Sequence, residues 1–271
     1  MLAATPSIDG VDAVREISRW VAAAERITVL TGAGISTDSG IPDFRGPQGV
    51  WTTNPGAQRL FSLDRYVADR DVRVQAWRNR HDHPAWTARP NAGHRALVSL
   101  ERGGRLRALV TQNIDGLHQR AGSDPSIVIE VHGTVWHAEC LGCGDRQPMS
   151  TVLDRVDAGE EDPACLDCGG LLKSATISFG QALSPDVWRA AVAAANDCDL
   201  FLAVGSSLQV HPAASLCDLA SDAGARLVVV NAEPTPYDAA ADAVVRGPIS
   251  TVLPALVAGT GSAVSGPVNR G

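Results

Sequence analysis

Short apolar runs recur along this chain, and each is followed at once by polar residues or glycines. The first, Ile27–Thr31, is rich in β-branched residues and matches a strand buried on both faces of a parallel sheet. Similar runs lie at Leu106–Val110, Ile127–Val131, Leu200–Val204 and Leu227–Val230, with a shorter one at Ala243–Val245. Between them the period lengthens to that of a helix. Residues 11–24 put Val11, Val14, Ile17 and Val21 on one face, with Asp9 as cap. Asn91–Arg102 turns Ala92, Ala96, Leu97 and Leu100 inward, with Asn91 as cap. Pro185–Asn196 and Pro212–Ala223 also read as helices.

Strands alternating with helices predict an α/β fold, a Rossmann-like parallel sheet with helices on both faces. In open sheets of this kind ligands bind beyond the carboxyl ends of the strands. Thr111 to His118, His132-Gly133, Gly205-Ser206-Ser207, Asn231-Ala232-Glu233 and Arg246 to Ile249 all fall just after a strand, so they converge on one edge. After the first strand come Gly32, Ala33 and Gly34, which let the backbone turn tightly and approach a phosphate. Thr37 stands where a third glycine would complete the dinucleotide fingerprint, and no acid follows a second strand within about 20 residues. An ordinary dehydrogenase cradle is therefore disfavoured. A nucleotide cradle and a simple tight turn both remain open on these glycines alone.

Two segments break the alternation. Residues 47–90 carry loosely spaced aromatics and read as an inserted helical module, in which His81 and His83 lie in a solvated loop. Residues 136–182 contain Cys140-x-x-Cys143 and Cys165-x-x-Cys168, separated by 21 residues. Two such pairs, with Gly144 and Gly169 just after them, suit a closed four-thiolate zinc site of structural role. The Rossmann-like unit is then 1–46, 91–135 and 183–258, and 259–271 reads as a disordered tail.

Of 271 residues 45% are hydrophobic, as in ordinary globular chains. No apolar run approaches the ~18 residues of a membrane span, and no leader pattern opens the sequence, which predicts a cytoplasmic protein. The net charge of -7 argues against a nucleic-acid-binding surface, as do the seven acids against two arginines between 140 and 168. Residues 59–107 are the exception, with eleven arginines and five acids. They read as solvated helix faces, with an acidic partner as the alternative. Cys198 and Cys217 stand alone in apolar helical surroundings and read as core.

Taken in order, Gly32 to Ser36, Gly40 to Arg45, Thr111 to His118, His132-Gly133, the cysteine pairs, Gly205 to Ser207 and Asn231 to Glu233 resemble the sirtuins, NAD-dependent protein deacylases with bacterial members. The resemblance runs from about Ile17 to Leu256. It implies NAD as co-substrate, one structural zinc and an acylated-lysine protein or peptide as partner. Gly32, Ala33 and Gly34 would approach the phosphates, with Thr37 and Asp43 in the same motifs. Phe44 would cover the reacting sugar carbon, and Arg45 would sit near the phosphates. Gln112, Asn113, Ile114 and Asp115 would line the nicotinamide pocket. Gly205, Ser206 and Ser207 would add donors, while Asn231, Ala232 and Glu233 would hold the adenosine ribose and Ile249 the adenine. His132 would be the general base, with Asn113 beside it in the catalytic set. Ser178, Phe179 and Gly180 would pair with substrate backbone, although Gln181 stands where relatives often carry Glu. Mono-ADP-ribosyl transfer, plain NAD hydrolysis and a non-catalytic NAD sensor are the alternatives.

Overall fold

The computed structural model describes residues 11–56 and 61–258. Helix α1 (Val11–Ala23) leads into β1 (Ile27–Thr31). The glycine turn then opens into two 3₁₀ turns, Ala33–Ile35 and Thr37–Ser39, rather than an α-helix. Short helices α2 (Val50–Thr53), α3 (Leu63–Ala68) and α4 (Arg70–His81) follow, as the loose aromatic spacing predicted. Next come α5 (Ala92–Arg102), β2 (Leu106–Thr111), α6 (Leu117–Ala121) and β3 (Val128–Glu130). A separate unit of β4 (Gly133–Cys140), β5 (Arg146–Pro148), α7 (Met149–Asp157) and β6 (Leu172–Thr176) carries the cysteines. The chain closes with α8 (Pro185–Asn196), β7 (Leu200–Val204), α9 (Leu216–Asp222), β8 (Arg226–Val230), β9 (Ala243–Val245) and α10 (Ile249–Val257). The stretch expected to be helical from Pro212 starts as a 3₁₀ turn, Ala213–Ser215, before α9. The expected cap Asp9 and the tail 259–271 lie outside the described residues.

Six strands form one parallel sheet in the order β3-β2-β1-β7-β8-β9. Counting only these six, the order is that of the doubly wound dinucleotide-binding sheet, with its reversal point between β1 and β7. Both central strands are buried at every position. Because side chains alternate along a strand, Val29 and Leu202 face a layer made with Ile17, Leu97 and Leu253, while Leu30 and Phe201 face one made with Ala191, Cys198 and Cys217. The two lone cysteines are thus core residues. Helix α5 starts on a capping box: the Asn91 carboxamide oxygen accepts from the Gly93 N–H at 2.8 Å, and the His94 ring accepts from the Asn91 N–H at 3.3 Å.

The antiparallel sheet β5-β4-β6 has its own apolar centre, where Trp77 of α4 meets Met149, Val152 and Leu172. Most arginines of the rich stretch lie exposed on helix faces, as expected, and some of them also find acidic partners within the chain. Arg70 and Arg78 both pair with Glu161, at 3.3 and 3.1 Å. Arg73 pairs with Asp162 at 3.0 Å and donates to the carbonyls of Tyr66 and Val67. His81 contacts Asp157 at 3.1 Å. Only the Arg73–Asp162 pair is well shielded, with side chains 12% and 15% exposed. Removing one partner of a buried pair leaves an uncompensated charge and costs about 3 kcal/mol or more, whereas exposed pairs contribute about 0–1. Arg73→Met should therefore lower the urea unfolding free energy by about 3 kcal/mol and Arg70→Met by under about 1. Equal losses would contradict this division.

Candidate active site

A cleft of 1110 Å³ runs along the carboxyl ends of the parallel strands. Its floor depends on close backbone approach. The Gly34 N–H donates to the Gly205 carbonyl at 2.8 Å, and the Gly32 N–H to that of Val204 at 3.0 Å. A Cβ at Gly32 would lie 2.8 Å from Ser206 Cβ, and one at Gly34 would lie 2.9 Å from Gly205 Cα. Gly205 itself has φ +65, and a Cβ there would meet the Ile35 nitrogen at 2.5 Å. The glycines bring two loops together across the reversal point. The N–H groups of Gly32 and Gly34 are spent on that contact.

Beside this floor lies a buried polar network. Ser36, 1% exposed, donates to Asp115 Oδ2 at 2.8 Å and accepts from Asn113 Nδ2 at 3.2 Å. Asp115 Oδ1 accepts from the Leu117 N–H at 2.8 Å. Burial raises the Asp115 carboxyl, and these donors hold it back. Asn113 is fixed at its backbone too, since its N–H donates to Thr111 Oγ1 at 3.0 Å. Gln112 Nε2 donates to Ser206 Oγ at 2.9 Å, which ties the loop after β2 to the loop after β7. Ser36 was not among the site residues read from the sequence. It sits two places after Gly34, and only folding brings it to Asp115.

His132 follows β3. Its Nδ1 lies 3.1 Å from the Gln112 carbonyl oxygen, which can only accept, so Nδ1 carries the proton and Nε2 is bare. Burial lowers its pKa from 6.5, and the Gln112 contact acts in the other direction. A neutral ring with one bare nitrogen can take a proton at neutral pH. Gly133 makes this placement possible. Its φ is +72, and a Cβ would collide with the Ala175 carbonyl oxygen of the neighbouring strand.

The remaining predicted residues divide. Ser207, Asn231, Ala232, Glu233, Ile114 and Ile249 line the same cleft. Asn231 Nδ2 donates to the Glu233 carbonyl at 2.7 Å, and Glu233 is exposed. Phe44 packs on Trp51 with ring centres 4.9 Å apart, and Arg45 stacks over the same indole at 4.4 Å. Asp43 accepts from the Gly46 N–H at 2.9 Å, and Thr37 donates to the Gly34 carbonyl at 3.0 Å, so both serve loop geometry. In the stretch of Ser178, Phe179 and Gly180, the Phe179 N–H donates to the Phe61 carbonyl at 2.7 Å, and its carbonyl accepts from Leu63 at 3.0 Å. One edge of this segment is therefore taken by the chain itself. Lys173, the chain's one lysine, also lines the cleft and was not anticipated. Burial, and then the neighbouring Arg80, lowers its pKa to about 8.

Cys140, Cys143, Cys165 and Cys168 come together as expected, with all four sulfurs within 4.8 Å of one another. The closest pairs are 3.5 and 3.7 Å apart, far longer than the ~2.05 Å of a disulfide. Around a ~2.3 Å zinc–sulfur bond, tetrahedral sulfurs lie just under 4 Å apart, which this cluster fits. The Gly142 and Gly170 N–H groups donate to the Cys140 and Cys168 sulfurs, as suits thiolates.

Sheet order, strand-end cleft and cysteine-bearing insert define a dinucleotide-binding enzyme fold with a small unit that carries a four-cysteine cluster. The model of the Sir2 family matches residues 32–212. The NAD-dependent protein deacetylase 2 of Streptomyces coelicolor is 54% identical over 235 residues, covering 87% of this chain and 98% of the relative. A solved structure described as Sir2 bound to acetylated peptide superposes with a TM-score of 0.78 at 33% identity, covering 89% of this chain and 95% of that one. Another, described as Sir2-p53 peptide-NAD+, gives 0.79 at 34% identity, covering 89% and 95%. The chain belongs to the Sir2 family, the sirtuins. Among the described residues no helix is long and apolar enough to cross a membrane.

Gly133→Ala should lower stability by about 1–3 kcal/mol from backbone strain alone, and should displace His132. Thermal unfolding measures the first effect, and the chemical shifts of the His132 ring measure the second. A variant with unchanged stability would contradict the crowding described.

Proposed function

We propose that the chain is an NAD-dependent protein-lysine deacetylase, with His132 as general base and one structural zinc ion on the four cysteines. The observation that carries the reading is the bare Nε2 of a cleft-lining His132 beside the Ser36–Asn113–Asp115 network. NAD supplies a ribose carbon activated by its bond to nicotinamide. The overall conversion takes acyl-lysine, NAD and water to free lysine, nicotinamide and O-acyl-ADP-ribose.

Asn113, Asp115 and Ser36 hold the carboxamide end, since they offer both donors and acceptors in a buried setting. Ser206, Ser207, Asn231 and Glu233 hold the other end across the strand edge, with Ile249 apolar beside them. Phe44, held by Trp51, keeps water from the reacting sugar. His132 Nε2 takes the proton of a ribose hydroxyl so that its oxygen can attack the acyl carbon. The peptide adds along Ser178 and Gly180 on the side away from residues 61–63, where it displaces Gln181 from the Ser178 N–H and carbonyl. The zinc site is closed, with four protein sulfurs and no open position, so it contributes folding energy to the small unit. The protein acts in the cytoplasm.

Mass spectrometry of an acetyl-lysine peptide incubated with NAD and the protein tests the reaction. O-acetyl-ADP-ribose with deacetylated peptide is the expected result. Plain ADP-ribose with intact peptide would move the assignment to NAD hydrolysis, and ADP-ribosylated protein to transferase chemistry. His132→Ala should cut turnover by about a hundredfold or more without unfolding the chain. Only neutral His132 can act, so kcat/KM should fall as pH drops through its pKa. Since burial lowers that pKa, the fall should lie below pH 6.5. An acid limb above that value would contradict the assignment. For the metal, elemental analysis should find one zinc per chain, and Cys143→Ser should lose it together with thermal stability. A metal-free Cys143→Ser protein with unchanged melting would remove the structural role.

A further inference from the structure

Two histidines outside the proposed chemistry lie under the Asn113 loop. His94 on α5 is 0% exposed and His118 on α6 is 1% exposed, with ring centres 5.0 Å apart. Each has one nitrogen in a hydrogen bond and one without a partner. His94 Nδ1 accepts from the Asn91 N–H at 3.3 Å, while His94 Nε2 is buried and unpartnered. His118 Nε2 lies 2.9 Å from Thr31 Oγ1, while His118 Nδ1 is buried and unpartnered.

The partners fix both tautomers. An atom that accepts from an N–H carries no proton, so neutral His94 is protonated on Nε2. Thr31 donates its single hydroxyl hydrogen to Thr111 Oγ1 at 2.8 Å, so it can only accept from His118. His118 is therefore protonated on Nε2 and bare on Nδ1. The two unpartnered atoms are then a donor, His94 Nε2–H, and an acceptor, His118 Nδ1, on adjacent rings. Burial lowers both pKa values, that of His94 to about 4, and Arg95 and the other ring act in the same direction. The rings are neutral at pH 7, as this polarity requires.

The direction is consistent from end to end. The Asn91 N–H donates to His94, His94 faces His118, His118 donates to Thr31, and Thr31 donates to Thr111. At Thr111 Oγ1 the chain meets the backbone N–H of Asn113, 3.0 Å away. We propose that the unpartnered His94 Nε2–H and His118 Nδ1 bond to each other and so complete a relay of fixed polarity that positions the Asn113 loop for NAD, an assignment that rests on the NAD-dependent reading above. Both are positioning residues. Their reach is through the Thr31 and Thr111 hydroxyls, and neither ring takes part in proton transfer to substrate.

Two measurements test the relay separately from the reaction class. Long-range ¹⁵N–¹H correlation on the unliganded full chain at pH 7, with signals assigned through His94→Gln and His118→Gln, should show both rings protonated on Nε2 and bare on Nδ1. A proton on Nδ1 of either ring, or a doubly protonated ring, overturns the relay. In steady state, folded His118→Leu should raise KM for NAD on the order of tenfold, the loss of about one hydrogen bond, with KM for the acetyl peptide within about twofold. His118→Gln keeps a donor for Thr31 and should recover most of that loss. An unchanged KM for NAD in a folded His118→Leu protein, or equal rises in both KM values, overturns the positioning role. If the wild-type chain consumes no NAD, the deacetylase reading fails by itself, and the relay is judged on the ring tautomers.

Discussion

The contact on which the molecule depends is the meeting of two loops at the sheet reversal point, where the Gly34 N–H reaches the Gly205 carbonyl. A parallel sheet of this order opens a crevice between its two halves. Here the crevice floor is backbone against backbone, because a side chain at 32, 34 or 205 would collide with the opposite loop. Everything polar in the site is hung from that floor. Ser36 is carried in by the loop after Gly34, Ser206 by the loop after Gly205, and Gln112 bridges to Ser206 from the next strand. The glycines therefore build the floor of the site.

Parallel strands read well from sequence because burial on both faces leaves continuous β-branched runs. Ile27–Thr31, Leu200–Val204 and Ala243–Val245 were legible to the residue. The convergence of polar clusters was legible for the same reason: a strand end has one direction, and a parallel sheet repeats it. The Asn91 cap and the cysteine cluster follow from local chemistry at fixed spacing. What escaped depends on tertiary partners. Ser36 looks like a turn residue until Asp115 is set against it. His94 and His118 look like ordinary helix positions. Nothing local distinguishes a 3₁₀ turn after Gly32 from the α-helix of a standard cradle, since the difference lies in where Gly205 needs the chain to go.

The charge pattern teaches a related point. An arginine-rich stretch inside an acidic chain suggests an outside partner, yet Glu161, Asp162 and Asp157 of the cysteine-bearing segment take that part. The two segments are separated in sequence by the whole of α5 to β3. Their apolar contact at Trp77 and Met149 is small, and complementary charge surrounds it. That arrangement accompanies the backbone pairing of Phe61 with Phe179, while the Ser178 N–H and carbonyl are bonded to Gln181.

The central claim is that the strand-end cleft receives NAD with its carboxamide end at Ser36, Asn113 and Asp115. A crystal structure of the full chain soaked with NAD and an acetyl-lysine peptide tests it most directly. The account predicts the dinucleotide lying across the carboxyl ends of the strands, the carboxamide hydrogen-bonded within the Asn113–Asp115 pocket, and His132 Nε2 facing the adjoining ribose. NAD bound elsewhere, or bound with that pocket filled by the adenine end, would contradict it.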